Sequence, residues 1–290
     1  MIWLIGNRGM LGSDVEDLLH KSSKSCIVSD IEVDITDYQA LDGFAGDRKI
    51  DWVINCAAYT AVDRAEDEPE KAFTINAMGP ENIARFVESR KAKLIHISTD
   101  YVFDGGKEGP YREEDLTNPL GVYGKSKLEG ENNIQTLTDR YFIIRTAWLY
   151  GKKGNNFVHT MLRLLHERNE VRVVADQWGS PTYSKDLARV LLRIVESGGM
   201  QHGVYHFTNE GRTSWYGFAK EIYESARESG LLKKECTLVP IKTEEYPTKA
   251  KRPKNSCLSK EKIKSVCRLE IRDWKSALND FILEIKDSRS

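Results

Sequence analysis

Over residues 1–150, short apolar runs alternate with longer amphipathic stretches. This is the pattern of repeated βα units, which lay strands into a parallel sheet and cover it with helices. Ile2–Ile5 reads as the first buried strand, Cys26–Ser29 and Trp52–Asn55 as the second and third, and 94–97 and 141–145 as the fourth and fifth. The stretch 71–88 reads as a helix, because Ala72, Ile75, Ile83, Phe86 and Val87 return largely to one face. Further on, apolar runs at 171–175 and 204–207 read as strands, and helices are predicted over 157–166, 185–196, Trp215–Glu228 and 271–285. The segment 233–254 is charge-rich and carries Pro240, Pro247 and Pro253, so it is expected to be irregular surface structure. The chain has no internal repeat and no low-complexity tract.

Composition narrows the function classes. The 290 residues are 40% hydrophobic and 30% charged, enough apolar material for a buried core. Forty-three Lys and Arg against 44 Asp and Glu leave a net charge of −1, which gives no reason to expect nucleic acid or an anionic membrane as partner. Every apolar run is short and broken by charge, so no segment is expected to span a bilayer. Met1 runs straight into a strand pattern, and no secretory leader is expected. Cys26, Cys56, Cys236, Cys257 and Cys267 are scattered and never form a C-x-x-C pair, which argues against a disulfide framework and a zinc site. A reducing, cytoplasmic compartment is the expectation.

Gly6, Gly9 and Gly12 form a G-x-x-G-x-x-G loop between the first strand and an amphipathic helix containing Val15, Leu18 and Leu19. Glycine there permits a tight turn and lets backbone N–H groups approach a pyrophosphate, while the helix N-terminus adds a partial positive charge. Arg8, Met10 and Leu11 belong to the same loop. Asp30 stands 18 residues past Gly12, at the end of the second strand, where a carboxylate receives ribose hydroxyls. Asp30 favours NAD and Arg8 favours NADP, and the sequence leaves that choice open. The expected fold class is α/β, a Rossmann-type doubly wound parallel sheet with a smaller C-terminal substrate-binding lobe. Residues 1–150 would be mainly the dinucleotide-binding domain and 151–290 mainly the lobe, with some segments returning to the sheet.

Tyr123 and Lys127 stand at i and i+4, on one face if helical. A phenol with a pKa near 10 exchanges protons poorly at neutral pH unless a cation stabilises its phenolate, and Lys127 is placed to do so and to hold a ribose. Ser98-Thr99-Asp100 stands at the C-terminal end of the fourth strand, the edge where doubly wound sheets bind ligands. Thr99 there can donate to a substrate carbonyl.

Together with the glycine loop, the segments around Asn55 to Asp63, Ser98 to Phe103, Tyr123 to Glu131 and Arg145 to Gly151 resemble the extended short-chain dehydrogenase/reductases. More narrowly, they are similar to the dTDP-4-dehydrorhamnose reductase family. The likeness runs on through Gly154 to Phe157, Asp176 to Thr182, Gly203 to Phe207 and Arg252 to Ser256. It implies NAD(P)H-dependent reduction of the 4-keto group of a dTDP-linked 4-keto-6-deoxyhexose. Tyr123 would be the proton donor, Lys127 its electrostatic partner and Thr99 the third catalytic group. The resemblance adds Asp34, Ala57, Ala58, Tyr59 and Asn76 to the cofactor side. It places Thr60, Val62, Asp100, Tyr101, Trp148, Asn156 and Arg252 on the substrate side, with Trp148 stacking on or walling off the sugar and Asn156 and Arg252 holding the diphosphate. Some members bind magnesium through acids at a dimer interface. Asp14 matches one such position, but Lys185 stands where another acid is expected, so the metal set is incomplete and a homodimer is left open.

Two rivals stand beside this reading. A sugar-nucleotide dehydratase or epimerase shares the fold, but dehydratases need an Asp-Glu pair after the strand-four threonine, and here Tyr101 follows Asp100. A non-catalytic NADP-binding regulatory subunit, like the methionine adenosyltransferase β subunit, also keeps the Tyr-Lys motif.

Overall fold

The computed structural model describes residues 1–197 and 199–288. In chain order its strands are β1 (Ile2–Ile5), β2 (Cys26–Ser29), β3 (Trp52–Asn55), β4 (Lys93–Thr99), β5 (Tyr141–Thr146), β6 (Leu149–Tyr150), β7 (Glu170–Val174), β8 (Trp178–Gly179), β9 (Thr182–Tyr183), β10 (Gly203–His206), β11 (Thr213–Ser214) and β12 (Thr237–Ile241). The helices are α1 (Met10–Lys21), α2 (Tyr38–Ala45), α3 (Val62–Ala65), α4 (Pro69–Phe73), α5 (Gly79–Arg90), α6 (Val122–Leu137), α7 (Phe157–Glu167), α8 (Ser184–Glu196), α9 (Trp215–Glu228), α10 (Glu261–Cys267) and α11 (Trp274–Asp287).

Six strands form one all-parallel sheet in the order β10-β5-β4-β3-β1-β2. Strand order reverses at β1, whose neighbours β2 and β3 leave on opposite sides, so the crevice past the C-terminal ends of β1 and β3 is the switch point of the fold. Alternating side chains serve both faces. Leu4, Ile54, Ile95 and Ile144 pack with α1 and α8 on one face, and Trp3, Ile5, Val53 and Ile143 with α2 and α5 on the other. The smaller lobe buries Tyr150, Val158, Phe218, Ile222 and Phe281 in a core of its own. Although α8 and β10 lie past residue 150, both pack into the sheet domain.

Two expectations need correction. The stretch 71–88 is not one regular helix: α4 passes through a single π-helical turn, Thr74–Met78, into α5, which carries Pro80 in its first turn. Hydrophobic periodicity does not register one inserted residue in the helical ladder. Residues 237–241, expected to be irregular, form β12, which pairs in parallel with β7. A two-stranded sheet consists only of edges, where Pro240 is tolerated.

Candidate active site

The glycine loop fits a pyrophosphate on steric grounds. Gly6 has φ +81°, and a Cβ there would lie 2.7 Å from the Ala57 nitrogen, while one on Gly12 would lie 1.9 Å from the Gly6 carbonyl oxygen. The backbone is thus packed too tightly for any side chain at either position, leaving the loop's outer face bare at the start of α1. Leu11 is buried in the sheet core, so only its backbone can face a cofactor. Met10 lies against Gly151.

At the far end of the loop, Asp30 accepts the backbone N–H groups of Arg8 at 3.0 Å and Ile31 at 2.9 Å. The exposed Arg8 guanidinium pairs with Glu32 at 3.1 Å, a residue the sequence reading passed over. Asp34 is also exposed, and its Oδ1 accepts from the backbone N–H and hydroxyl of Thr36.

Ala57, Ala58 and Tyr59 form the loop beyond β3, opposite Gly6. The Asn76 side chain, fully buried in the π turn, accepts from the Tyr59 N–H at 2.8 Å and donates to the Tyr59 carbonyl and the Ser126 hydroxyl, each at 3.0 Å. Asn76 therefore does not reach out to a cofactor as a direct ligand; it ties the β3 loop to α6. Thr60 is exposed and Val62 half-buried at the start of α3.

Helix α6 sets Tyr123 and Lys127 one turn apart, as expected. Lys127 is 1% exposed, and its Nζ donates to the Ile97 carbonyl at 2.8 Å and lies 3.2 Å from His96 Nε2. Burial lowers its pKa to about 8, with Glu131 pulling the other way. Glu131 is itself buried and gripped by Arg145. Burial also raises the pKa of Tyr123, a shift the Thr99 hydroxyl opposes, so the phenol keeps its proton through the neutral range. Thr99 Oγ1 donates to Asp100 Oδ1 at 3.0 Å and accepts from the Tyr101 N–H at 3.2 Å. Thr99 thus bridges Asp100 and the Tyr101 backbone beside Tyr123.

On the substrate side, Asp100 is 3% exposed and accepts from the Thr99 hydroxyl. Its burial outweighs the hydroxyls of Ser256 and Thr99 and lifts its pKa to about 6. Tyr101 packs edge-on against Tyr123, with centroids 5.6 Å apart, and its hydroxyl accepts from Arg252 at 3.2 Å. Arg252 is also clamped to Asp63 at 2.7 Å, which draws the C-terminal segment over the cleft. Two expected ligands are otherwise engaged. Trp148 stacks on Trp215, with centroids 3.6 Å apart, and presses on Gly179, so its ring stacks within the protein and is left as a wall. Asn156 caps α7 through the His159 N–H and donates to the Gly151 carbonyl at 2.8 Å, which occupies both ends of its amide.

Asp14 accepts from the Ser184 hydroxyl, Lys185 pairs with Glu284 at 2.6 Å, and no cluster of three ligating side chains forms among the described residues. Among those residues, no helix is long and apolar enough to cross a membrane.

The chain is similar to known proteins along nearly its whole length. The family model described as RmlD substrate binding domain matches residues 1–286. The dTDP-4-dehydrorhamnose reductase of Aggregatibacter actinomycetemcomitans is 42% identical over 283 residues, covering 96% of each chain. The crystal structure of a dTDP-4-dehydrorhamnose reductase from Clostridium acetobutylicum superposes with a TM-score of 0.92 at 42% identity, covering 98% of this chain and 99% of that one. The enzyme of the same name from Bacillus anthracis, solved in complex with NADP, also gives 0.92, at 38% identity over 98% of each chain.

Proposed function

The chain belongs to the dTDP-4-dehydrorhamnose reductase family and is an NAD(P)H-dependent oxidoreductase; we propose that Tyr123, Lys127 and Thr99 carry out its reaction. That reaction is the reduction of the 4-keto group of dTDP-4-dehydro-6-deoxy-L-mannose to dTDP-L-rhamnose. The reduced nicotinamide supplies the hydride when bound. Tyr123 donates its hydroxyl proton to the oxygen that develops charge at the sugar C4. Thr99, anchored by Asp100, fixes the direction of the phenol, and Lys127 as an ammonium stabilises the phenolate left behind. Asn76 holds the β3 loop against the cofactor's path. Arg252, with its guanidinium between Tyr101 and Asp63, offers charge-assisted bonds to the substrate diphosphate. The five free thiols accord with a cytoplasmic enzyme.

The observation that carries the residue roles is that Tyr123 packs on Tyr101, whose N–H is held by Thr99 at the C-terminal end of β4. This is the sheet edge that also holds the glycine cradle. Tyr101 after Asp100, bound to Arg252, leaves no acid pair for a dehydratase. The test is incubation with NADPH or NADH and enzymatically made dTDP-4-keto-6-deoxy-L-mannose, followed by loss of absorbance and identification of the product sugar. Stoichiometric oxidation of cofactor with formation of dTDP-L-rhamnose is expected. A protein that binds NADPH but turns nothing over is a regulatory subunit and ends the proposal.

A further inference from the structure

His96 stands in the middle of β4, is fully buried and was not singled out by any sequence motif. Its ring lies between two partners, Asn55 Nδ2 at 3.0 Å from Nδ1 and Lys127 Nζ at 3.2 Å from Nε2. Asn55 in turn has its orientation fixed, because its Oδ1 accepts the Ala57 N–H at 3.0 Å. Turning the amide over would set two donors against each other. Nδ2 therefore faces His96 as a donor, and Nδ1 must accept. A neutral imidazole carries one N–H, which leaves the proton on Nε2, aimed at Lys127. Burial holds the imidazole neutral. An N–H aimed at Nζ needs a lone pair there, and an ammonium has none.

We infer that His96 is a positioning residue whose Nε2–H stabilises the neutral amine of Lys127, so that at mildly alkaline pH the lysine takes up a proton from solvent as the cofactor binds. The other groups facing Lys127 are few. Glu131 on α6 favours the ammonium but is already paired with Arg145 from β5, Cys56 stands at the end of β3, and β4 contributes the Ile97 carbonyl. In the open cleft the hydrogen bond from His96 and the loss of water both favour the amine. Ribose hydroxyls, which accept, and a developing phenolate reverse that balance. The inference rests on the assignment of Lys127 to the cofactor's ribose, and it makes cofactor affinity proton-linked.

Calorimetry of NADPH binding at pH 8.5 in buffers of different ionisation enthalpy tests this. With Lys127 half-protonated near pH 8 in the free protein, wild type is expected to take up about 0.7 of a proton. His96→Gln, which can turn its carbonyl toward an ammonium, should reduce the uptake to less than about 0.3. If that variant does not fold, nitrogen-15 spectra of His96 in the unliganded wild-type protein decide the matter. The Nε2–H tautomer is expected. An Nδ1–H tautomer, no proton uptake in wild type, or unchanged uptake in a folded His96→Gln variant overturns the inference. Retained turnover in Lys127→Met would instead overturn the assignment of Lys127, and the tautomer measurement is independent of turnover.

Discussion

Replacing Asp100 with asparagine should make the protein more stable and less active. The carboxyl is 3% exposed, and burial lifts its pKa from 3.8 to about 6. Because the folded value lies above the unfolded one, the native state holds the extra proton between those two values. Stability therefore falls as pH rises through that window, and the penalty is complete above about pH 6. A shift of about two units corresponds to roughly 3 kcal/mol. Asparagine keeps an oxygen to accept the Thr99 hydroxyl but introduces an amide that needs its own partner. A net gain of about 1–3 kcal/mol at pH 7.5 is expected, or roughly 2–8 °C in Tm. Below about pH 3 the gain should vanish, since the carboxyl is then largely neutral in both states. Turnover should fall about tenfold or more, because a neutral acceptor holds Thr99 and hence Tyr123 less firmly. Thermal melts across pH 3–8, paired with kcat near neutral pH, measure both effects. A gain that persists undiminished at pH 3, or a variant less stable than wild type at pH 7.5, would refute the electrostatic reasoning.

The pH profile of kcat/KM should fall above about pH 8, where Lys127 in the free protein loses its proton, and Lys127→Met should abolish that limb along with most turnover. Asn76→Ala should raise the cofactor Kd about tenfold with a smaller effect on kcat, since it frees the Tyr59 loop without touching Tyr123; fluorescence titration with NADPH measures the change. Glu32→Gln should shift preference toward NADPH and Arg8→Ala toward NADH, because the Arg8 guanidinium is shared between Glu32 and any 2′-phosphate; the ratio of kcat/KM values reads this.

What the sequence disclosed, and what it hid, follows from the range of each signal. The bounds of β1, β2 and β3 were legible because a buried parallel strand is a continuous apolar run. Gly6 and Gly12 were legible because no other residue fits where they stand. The spacing of Tyr123 and Lys127 carried the helical face. The π turn at Asn76 was hidden, since hydrophobic positions on either side stay in phase with a helix. Strand β12 was hidden because charge and three nearby prolines outweigh five residues of weak strand pattern. Asn156 and Trp148 read as ligands from their motif context, while their actual partners, His159 and Trp215, were invisible until the chain was folded. His96 gave no sign, because its meaning lies in Lys127, 31 positions away, and in Asn55 on the neighbouring strand.

The central claim is that Tyr123 delivers the proton while the rest of the site binds and orients. Single-turnover oxidation of NADPH by dTDP-4-keto-6-deoxy-L-mannose, compared between wild type and Tyr123→Phe at saturating concentrations of both ligands, tests it most directly. A fall of at least about a hundredfold in the rate, with the NADPH Kd within about twofold of wild type, is what the account predicts. A Tyr123→Phe variant that transfers hydride at a near-wild-type rate would contradict it.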